Sequence, residues 1–170
     1  RAAVDLFRWH PPAGRGRRET VSLDPADTNA YFELIDDAYN ANPASMAAAL
    51  EVLAASDPQE QSRQGPRRIA ILGDMLELGQ EEAQIHAQLA GNNHLLTLDV
   101  VHCVGPRMRA CYDALPAEIR GRWVQEAQEL ALGLGELIAP GDRVLVKGSL
   151  GSKVSLIVDL IRNLGHRSQP

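Results

Sequence analysis

Residues 67–79 read RRIAILGDMLELG, and this stretch decides the fold. After two arginines, Ile69, Ala70, Ile71 and Leu72 run without a polar residue into Gly73 and Asp74, which is the length and texture of a short strand buried on both faces. The period then changes. Glu81 and Glu82 place carboxylates where they suit a helix dipole, and Ile85 and Leu89, four apart, share one helical face. A buried strand that leads through a glycine-bearing loop into an amphipathic helix is half of a βα unit.

The same grammar repeats on both sides of this stretch. Strands are predicted at residues 31–35, 100–104 and 143–147, with a weaker one near Trp123. Asn42-Pro43 supplies a cap and a first-turn proline for a helix of about three turns that places Met46, Ala49, Leu50 and Leu53 together. Further helices are predicted from Pro106 through Leu115, from Glu126 to Ala139 with Gly133 and Gly135 weakening it, and from Ser152 to Leu164, where Gly165 is expected as a left-handed cap. Residues 56–67, SDPQEQSRQGPR, read as a polar linker. The expected class is α/β: a mostly parallel sheet flanked by helices, preceded by a strand-and-turn tail.

The chain has 170 residues, enough to bury a core without disulfides or metals. Its two cysteines, Cys103 and Cys111, form no CxxC, and the histidines show no metal-ligand spacing: His86 and His94 straddle a helix end, His102 lies in a strand, and His10 and His166 are in the tails. A reduced, cytoplasmic protein is expected. With 17 Lys plus Arg against 22 Asp plus Glu the formal charge is −5, which argues against nucleic acid as the main partner, and no apolar run approaches a membrane span. The first twenty residues stand apart at +3, and the chain begins with Arg, so a piece of a longer protein is expected.

In an open parallel sheet the functional groups gather in the loops at the carboxyl ends of the strands. Three such loops have unusual composition. DDAYNANP, residues 36–43, sets two carboxylates, a tyrosine and two amides before a helix N-terminus, where an anionic group is favoured and Asp37 could accept from ribose hydroxyls. Its plainer reading is a turn in which Asn42 only caps the helix. GDMLELG, residues 73–79, offers Asp74 to an amine or a water, or is simply a turn with a cap. KGSLGS, residues 147–152, could hold a carboxylate or phosphate on its amides with Lys147 adding charge. It is not a Walker loop, because GSLGSKVS has two residues between its glycines where four are required, and neither a GxGxxG nor a GxSxG run occurs.

Taken in order, GRG at 14–16, LIDDAYNANPASMAAAL at 34–50, RRIAILGDMLELG with His86 beyond it, and GDRVLVKGS at 141–149 resemble the carboxy-terminal part of the bacterial Mur ligases. LIDDAYNANP together with LGDMLELG resembles the branch that joins D-alanyl-D-alanine to UDP-MurNAc-tripeptide. The DNPR-type run of a diaminopimelate-adding sister is missing. The resemblance implies a Rossmann-like third domain at 34–170, with residues 1–33 as the tail of a central ATP-binding domain. It implies ATP and Mg2+ as cofactors, bound mainly by upstream domains that carry the P-loop and metal ligands, so that the fragment alone is inactive. It implies nucleotide-binding roles for Asp37, Asn40 and Asn42, and a dipeptide seat at Asp74, Lys147, Gly148 and Ser149. Leu150 stands where the family often has arginine or asparagine. A sister Mur or folyl-polyglutamate ligase domain, or a non-catalytic binding module, is the alternative, although a self-contained module would seldom carry so basic and unpatterned a start.

Overall fold

The computed structural model describes residues 11–56 and 65–166. The start of the tail, with His10, and most of the polar linker lie outside the described residues. Strands β1 (Arg17–Ser22), β2 (Tyr31–Asp37), β3 (Arg68–Gly73), β4 (Val100–Val104), β5 (Arg120–Val124) and β6 (Arg143–Lys147) form one sheet in the order β1-β2-β6-β3-β4-β5. All neighbours are parallel except β1, which runs antiparallel to β2 along the edge. The boundary expected between residues 33 and 34 falls inside β2, whose hydrogen bonds to β1 tie residues 17–22 into the same sheet. Arg17, Arg18 and Glu19 give that edge charged side chains, which discourage pairing with another chain.

Helices α1 (Pro43–Ala55), α2 (Glu82–Leu89) and α3 (Met108–Ala114) cover one face, while α4 (Ala127–Ala131), α5 (Leu134–Leu137) and α6 (Ser155–Arg162) cover the other. Strand alternation sorts the core between them. Ala70, Leu72 and Leu145 join Met46, Leu50 and Leu53 of α1, while Ile69, Ile71, Val144 and Val146 join Ile157, Val158 and Ile161 of α6. At the start of α1, Asn42 Oδ1 accepts the Ser45 N–H at 2.8 Å and Ser45 Oγ accepts the Asn42 N–H at 3.0 Å, so the expected cap is a reciprocal capping box. Cys103 and Cys111 are both buried in the first core. A hydrogen bond to Cys111, with burial, holds the Cys103 thiol well above its ordinary range, which is the opposite of an activated nucleophile.

β6, last in sequence among the strands, is inserted between β2 and β3. Asp142, at its entry, is buried and accepts from Arg67 at 2.7 Å and from the Ala139 N–H at 2.8 Å, which ties the β6 turn to the head of β3. Two expectations are corrected. The helix expected from 126 to 139 is two short helices, because Gly133 leaves helical geometry and caps α5. Gly165 does not take a left-handed backbone: the chain continues as a 3₁₀ turn over residues 164–166, and a Cβ at Gly165 would come within 2.5 Å of the Ser22 carbonyl oxygen, so close approach to β1 is what demands glycine. Among the described residues no helix is long and apolar enough to cross a membrane.

Candidate functional site

β2, β6, β3 and β4 are parallel, so their carboxyl ends open onto one edge, and β6 places its end between those of β2 and β3. Asp37 and Lys147 are direct register partners at the ends of β2 and β6. Both side chains lie on the α1 face, and Lys147 Nζ donates to Asp37 Oδ2 at 2.7 Å and to the Asn40 carbonyl at 2.9 Å. The Lys147 side chain is 3% exposed against 20% for Asp37, so the cation is the buried member. Among the described residues Asp37 Oδ1 has no protein partner; the carboxylate faces a groove of about 370 Å³ shared with Arg18, Ser45 and Val52.

Asp36, one residue earlier, points to the opposite face of the sheet and does a different job. Its Oδ2 accepts from the Gly14 N–H and from Arg162, both at 2.9 Å, and the Asp36 carbonyl accepts the Gly16 N–H at 2.8 Å. Gly14 and Gly16 both have φ near +80°, which a side chain would strain. The GRG run is thereby folded onto the DDAYNANP loop, with the Arg15 guanidinium 4.6 Å from the centre of the Tyr39 ring. Sequence reasoning assigned no role to Asp36; the alternating direction of strand side chains is the signal that separates two adjacent aspartates.

The KGS loop ties the edge together. Ser149 Oγ accepts the Leu76 N–H at 2.9 Å and donates to the Ala41 carbonyl at 3.3 Å, while its N–H donates to the Asp74 carbonyl at 3.0 Å. One residue after β6 thus holds the loops after β2 and β3. Gly148 lets this happen, since a Cβ there would sit 2.9 Å from Gly73 Cα and 2.6 Å from Ser152 Oγ. Asp74 is buried; its Oδ1 accepts the Met108 N–H at 2.8 Å and its Oδ2 lies 3.6 Å from Arg107. Of the residues expected at the site, Asp37, Asn40, Lys147, Ser149, Gly148 and Asp74 share this edge. Asn42 lies beside it with its side-chain oxygen committed to the α1 cap. Asn40 contributes its carbonyl to Lys147, and its side-chain oxygen accepts the neighbouring Ala41 N–H at 2.9 Å.

On the β4 side of Asp74 a cleft of about 450 Å³ is lined by Leu76, Arg107, Gln125, Glu126 and Lys153. Sequence reasoning assigned no role here to Arg107 or Lys153, although both follow glycine-bearing strand ends. Lys153, at φ 59°, and Glu77, at φ 61°, are the two non-glycine residues with left-handed backbone among those described, and both belong to loops that border this cleft. Such conformations cost about 1–2 kcal/mol each and persist where the surroundings impose them. The arrangement thus offers, on one side of the KGS loop, a groove bordered by the Asp37 carboxylate with its Oδ1 unpartnered among the described residues, and on the other a cleft carrying both charge signs. Among the described residues no group of three or more His, Cys, Asp or Glu is placed to hold a metal ion.

A mostly parallel α/β domain whose polar loops gather where β6 lies between β2 and β3 has the architecture in which ligands bind at the carboxyl ends of the strands. The sequence pattern of the family described as Mur ligase, glutamate ligase domain, matches residues 16–150. The chain belongs to this family, as its carboxy-terminal domain. Its relatives include UDP-N-acetylmuramoyl-tripeptide–D-alanyl-D-alanine ligases of Rickettsia prowazekii, 34% identical over 85% of this chain and 29% of the relative, and of Escherichia coli, 32% identical over 78% and 27%. The chain therefore spans less than a third of the length of these relatives. Among solved structures, a MurF from Acinetobacter baumannii is 27% identical with a TM-score of 0.69, covering 92% of this chain and 31% of that one. A MurF ligase from Thermotoga maritima in complex with ADP shares the fold at a TM-score of 0.73 and 20% identity, over 97% of this chain and 34% of that one.

Proposed function

We propose that this chain is the closing domain of an ATP-dependent ligase that joins D-alanyl-D-alanine to UDP-MurNAc-tripeptide in the cytoplasm. The observation that carries the reading is the edge itself: one residue, Ser149, holds the loops after β2 and β3, so the DDAYNANP groove and the Asp74 cleft are fixed at a set spacing on either side of it. ATP, bound mainly by upstream domains with Mg2+, supplies the phosphoryl group that activates the tripeptide carboxylate. In the second half-reaction the dipeptide amine attacks the acyl carbon, phosphate leaves and the amine loses its proton. This domain closes the site against water and aligns the amine with the carbonyl.

In this reading Asp37 Oδ1, without a partner among the described residues, accepts from the ribose hydroxyls, while Asn40 and Asn42 shape the loop beside the nucleotide. Asp74, Lys147, Gly148 and Ser149 form the wall of the dipeptide seat, Asp74 by its charge and the KGS residues chiefly by the backbone they hold. The test is phosphate release from ATP by the full-length protein that carries this chain, with UDP-MurNAc-tripeptide present and D-alanyl-D-alanine added or omitted. Release that requires the dipeptide supports the reading; release driven by a different amino acid assigns the chain to a sister ligase.

A further inference from the structure

His86 is fully buried on α2, yet both ring nitrogens are engaged by main chain from different segments. Nδ1 lies 2.6 Å from the Glu82 carbonyl, which can only accept, and Nε2 lies 3.0 Å from the Met75 N–H, which can only donate. The two partners therefore fix a neutral imidazole with its proton on Nδ1. Met75 is the centre of three consecutive amides whose acceptors come from three places: Asp74 N–H to the Val104 carbonyl, Met75 N–H to His86, and Leu76 N–H to Ser149 Oγ. Asp74 and Leu76 both line the cleft. The circuit also closes on itself, because Glu82, whose carbonyl orients His86, binds Arg107 through its carboxylate at 2.7 Å, and Arg107 reaches Asp74.

We propose that His86, as its Nδ1–H tautomer, is a positioning residue that holds Asp74 and Leu76 at the acceptor cleft through the Met75 amide. The role rests on the reading of that cleft as the dipeptide seat. It is not a packing role, because a buried apolar side chain of similar size would fill the space and leave the Met75 N–H and the Glu82 carbonyl without these partners. It is not a catalytic role either, since the ring is fully buried and does not line the cleft.

Two substitutions separate these roles by geometry. The amide of glutamine reaches as far as Nε2, so His86→Gln can place its oxygen on the Met75 N–H. The amide of asparagine reaches only as far as Nδ1, so His86→Asn can serve the Glu82 carbonyl and leaves Met75 unpaired. In this chain, hydrogen exchange at the Met75 amide is expected to quicken roughly tenfold in His86→Asn and to stay near the unsubstituted rate in His86→Gln. In the full-length protein the KM for D-alanyl-D-alanine should rise by about the same factor in His86→Asn, with the KM for ATP nearly unmoved, and return towards normal in His86→Gln. A nitrogen-15 correlation spectrum of the unsubstituted chain, which needs no variant to fold, should show the proton on Nδ1. A proton on Nε2, a charged ring, or equal Met75 exchange in the two variants would overturn the proposal. Divergent exchange with equal dipeptide KM would overturn the link to the seat. Should the unsubstituted ligase show no dipeptide-dependent release, the functional reading and the link to the seat fall together, while the exchange data still decide whether His86 holds the loop.

Discussion

Removing either member of the Asp37–Lys147 pair should have unequal consequences, and burial fixes the order. In Asp37→Ala the Lys147 ammonium, 3% exposed with Asp37 in place, loses its charged partner and keeps, among the described residues, the Asn40 carbonyl at 2.9 Å. An uncompensated buried charge of this kind costs about 3–5 kcal/mol. In Lys147→Met the Asp37 carboxylate remains, but its side chain is 20% exposed and faces an open groove, so water can replace the ammonium. That loss should be about 1.5–3 kcal/mol, the worth of one charge-assisted hydrogen bond. The double variant should recover most of the difference, because no unpaired cation remains. Urea unfolding of the four proteins at neutral pH measures this directly, provided the denaturant slope is unchanged. Equal losses in the two single variants, or a larger loss in Lys147→Met, would refute the argument that the cation is the buried partner that sets the cost.

Ser149→Ala leaves the Leu76 N–H without its acceptor and the Ala41 carbonyl without its donor, and should cost about 1–3 kcal/mol in urea unfolding while raising the dipeptide KM of the full ligase; an unchanged KM would remove Ser149 from the seat. Gly148→Ala drives a Cβ to 2.9 Å from Gly73 Cα and should destabilise by about 1–3 kcal/mol, which a lowered midpoint would register and a neutral variant would contradict. His102, buried and beside Arg122 and Arg67, has its pKa lowered from 6.5 to about 4 by burial first and by those charges second. The unfolded chain therefore takes up a proton near pH 6.5 that the native state refuses, so stability falls as pH drops from about 6.5 to 4, by about 1.4 kcal/mol per pH unit at most and about 3 kcal/mol in all. His102→Asn keeps an acceptor for the Arg122 N–H, now 2.9 Å from Nδ1, and should flatten that part of the profile; a profile identical to the parent's would exclude His102 as its source.

Local pattern carried most of the fold. The runs at residues 68–72, 100–104 and 143–147 are strands because their texture is that of buried parallel strands, and Asn42-Pro43 starts α1 because capping chemistry acts within one turn. What escaped a local reading depends on distance along the chain. Nothing within GDRVLVK says that β6 lies between β2 and β3, since that order is set by contacts such as Asp142 to Arg67, 75 residues apart. The tail's β1 was legible as extended chain but not as a partner of β2, because an edge strand exposed on most positions shows little hydrophobic alternation. Gly165 misled for a related reason: a glycine after a helix reads as a cap, whereas here the constraint is the backbone of Ser22, remote in sequence. The loops were legible as polar and strand-terminal; which polar atoms remain free was not.

That last distinction changes how the edge should be probed. Asn42, Lys147 and Ser149 direct their side chains to main chain or to a neighbouring charge, and Asp74 is held by Met108 and Arg107. Substituting any of them disturbs the platform, so stability and substrate parameters should move together. Asp37 Oδ1 and Lys153 are held less tightly or not at all by such bonds, and they lie on the open sides of the groove and the cleft. Changes there should alter a KM with little change in the unfolding midpoint, because few native hydrogen bonds are lost. The nucleotide and dipeptide assignments are therefore best separated by Asp37→Asn against Lys153→Met. The first should weaken ATP, the second the dipeptide, and neither should approach the stability loss of Asp37→Ala, since asparagine keeps an oxygen for Lys147 and Lys153 is exposed. If Lys153→Met moved the ATP KM and left the dipeptide KM alone, the two sides of the edge would have to be exchanged.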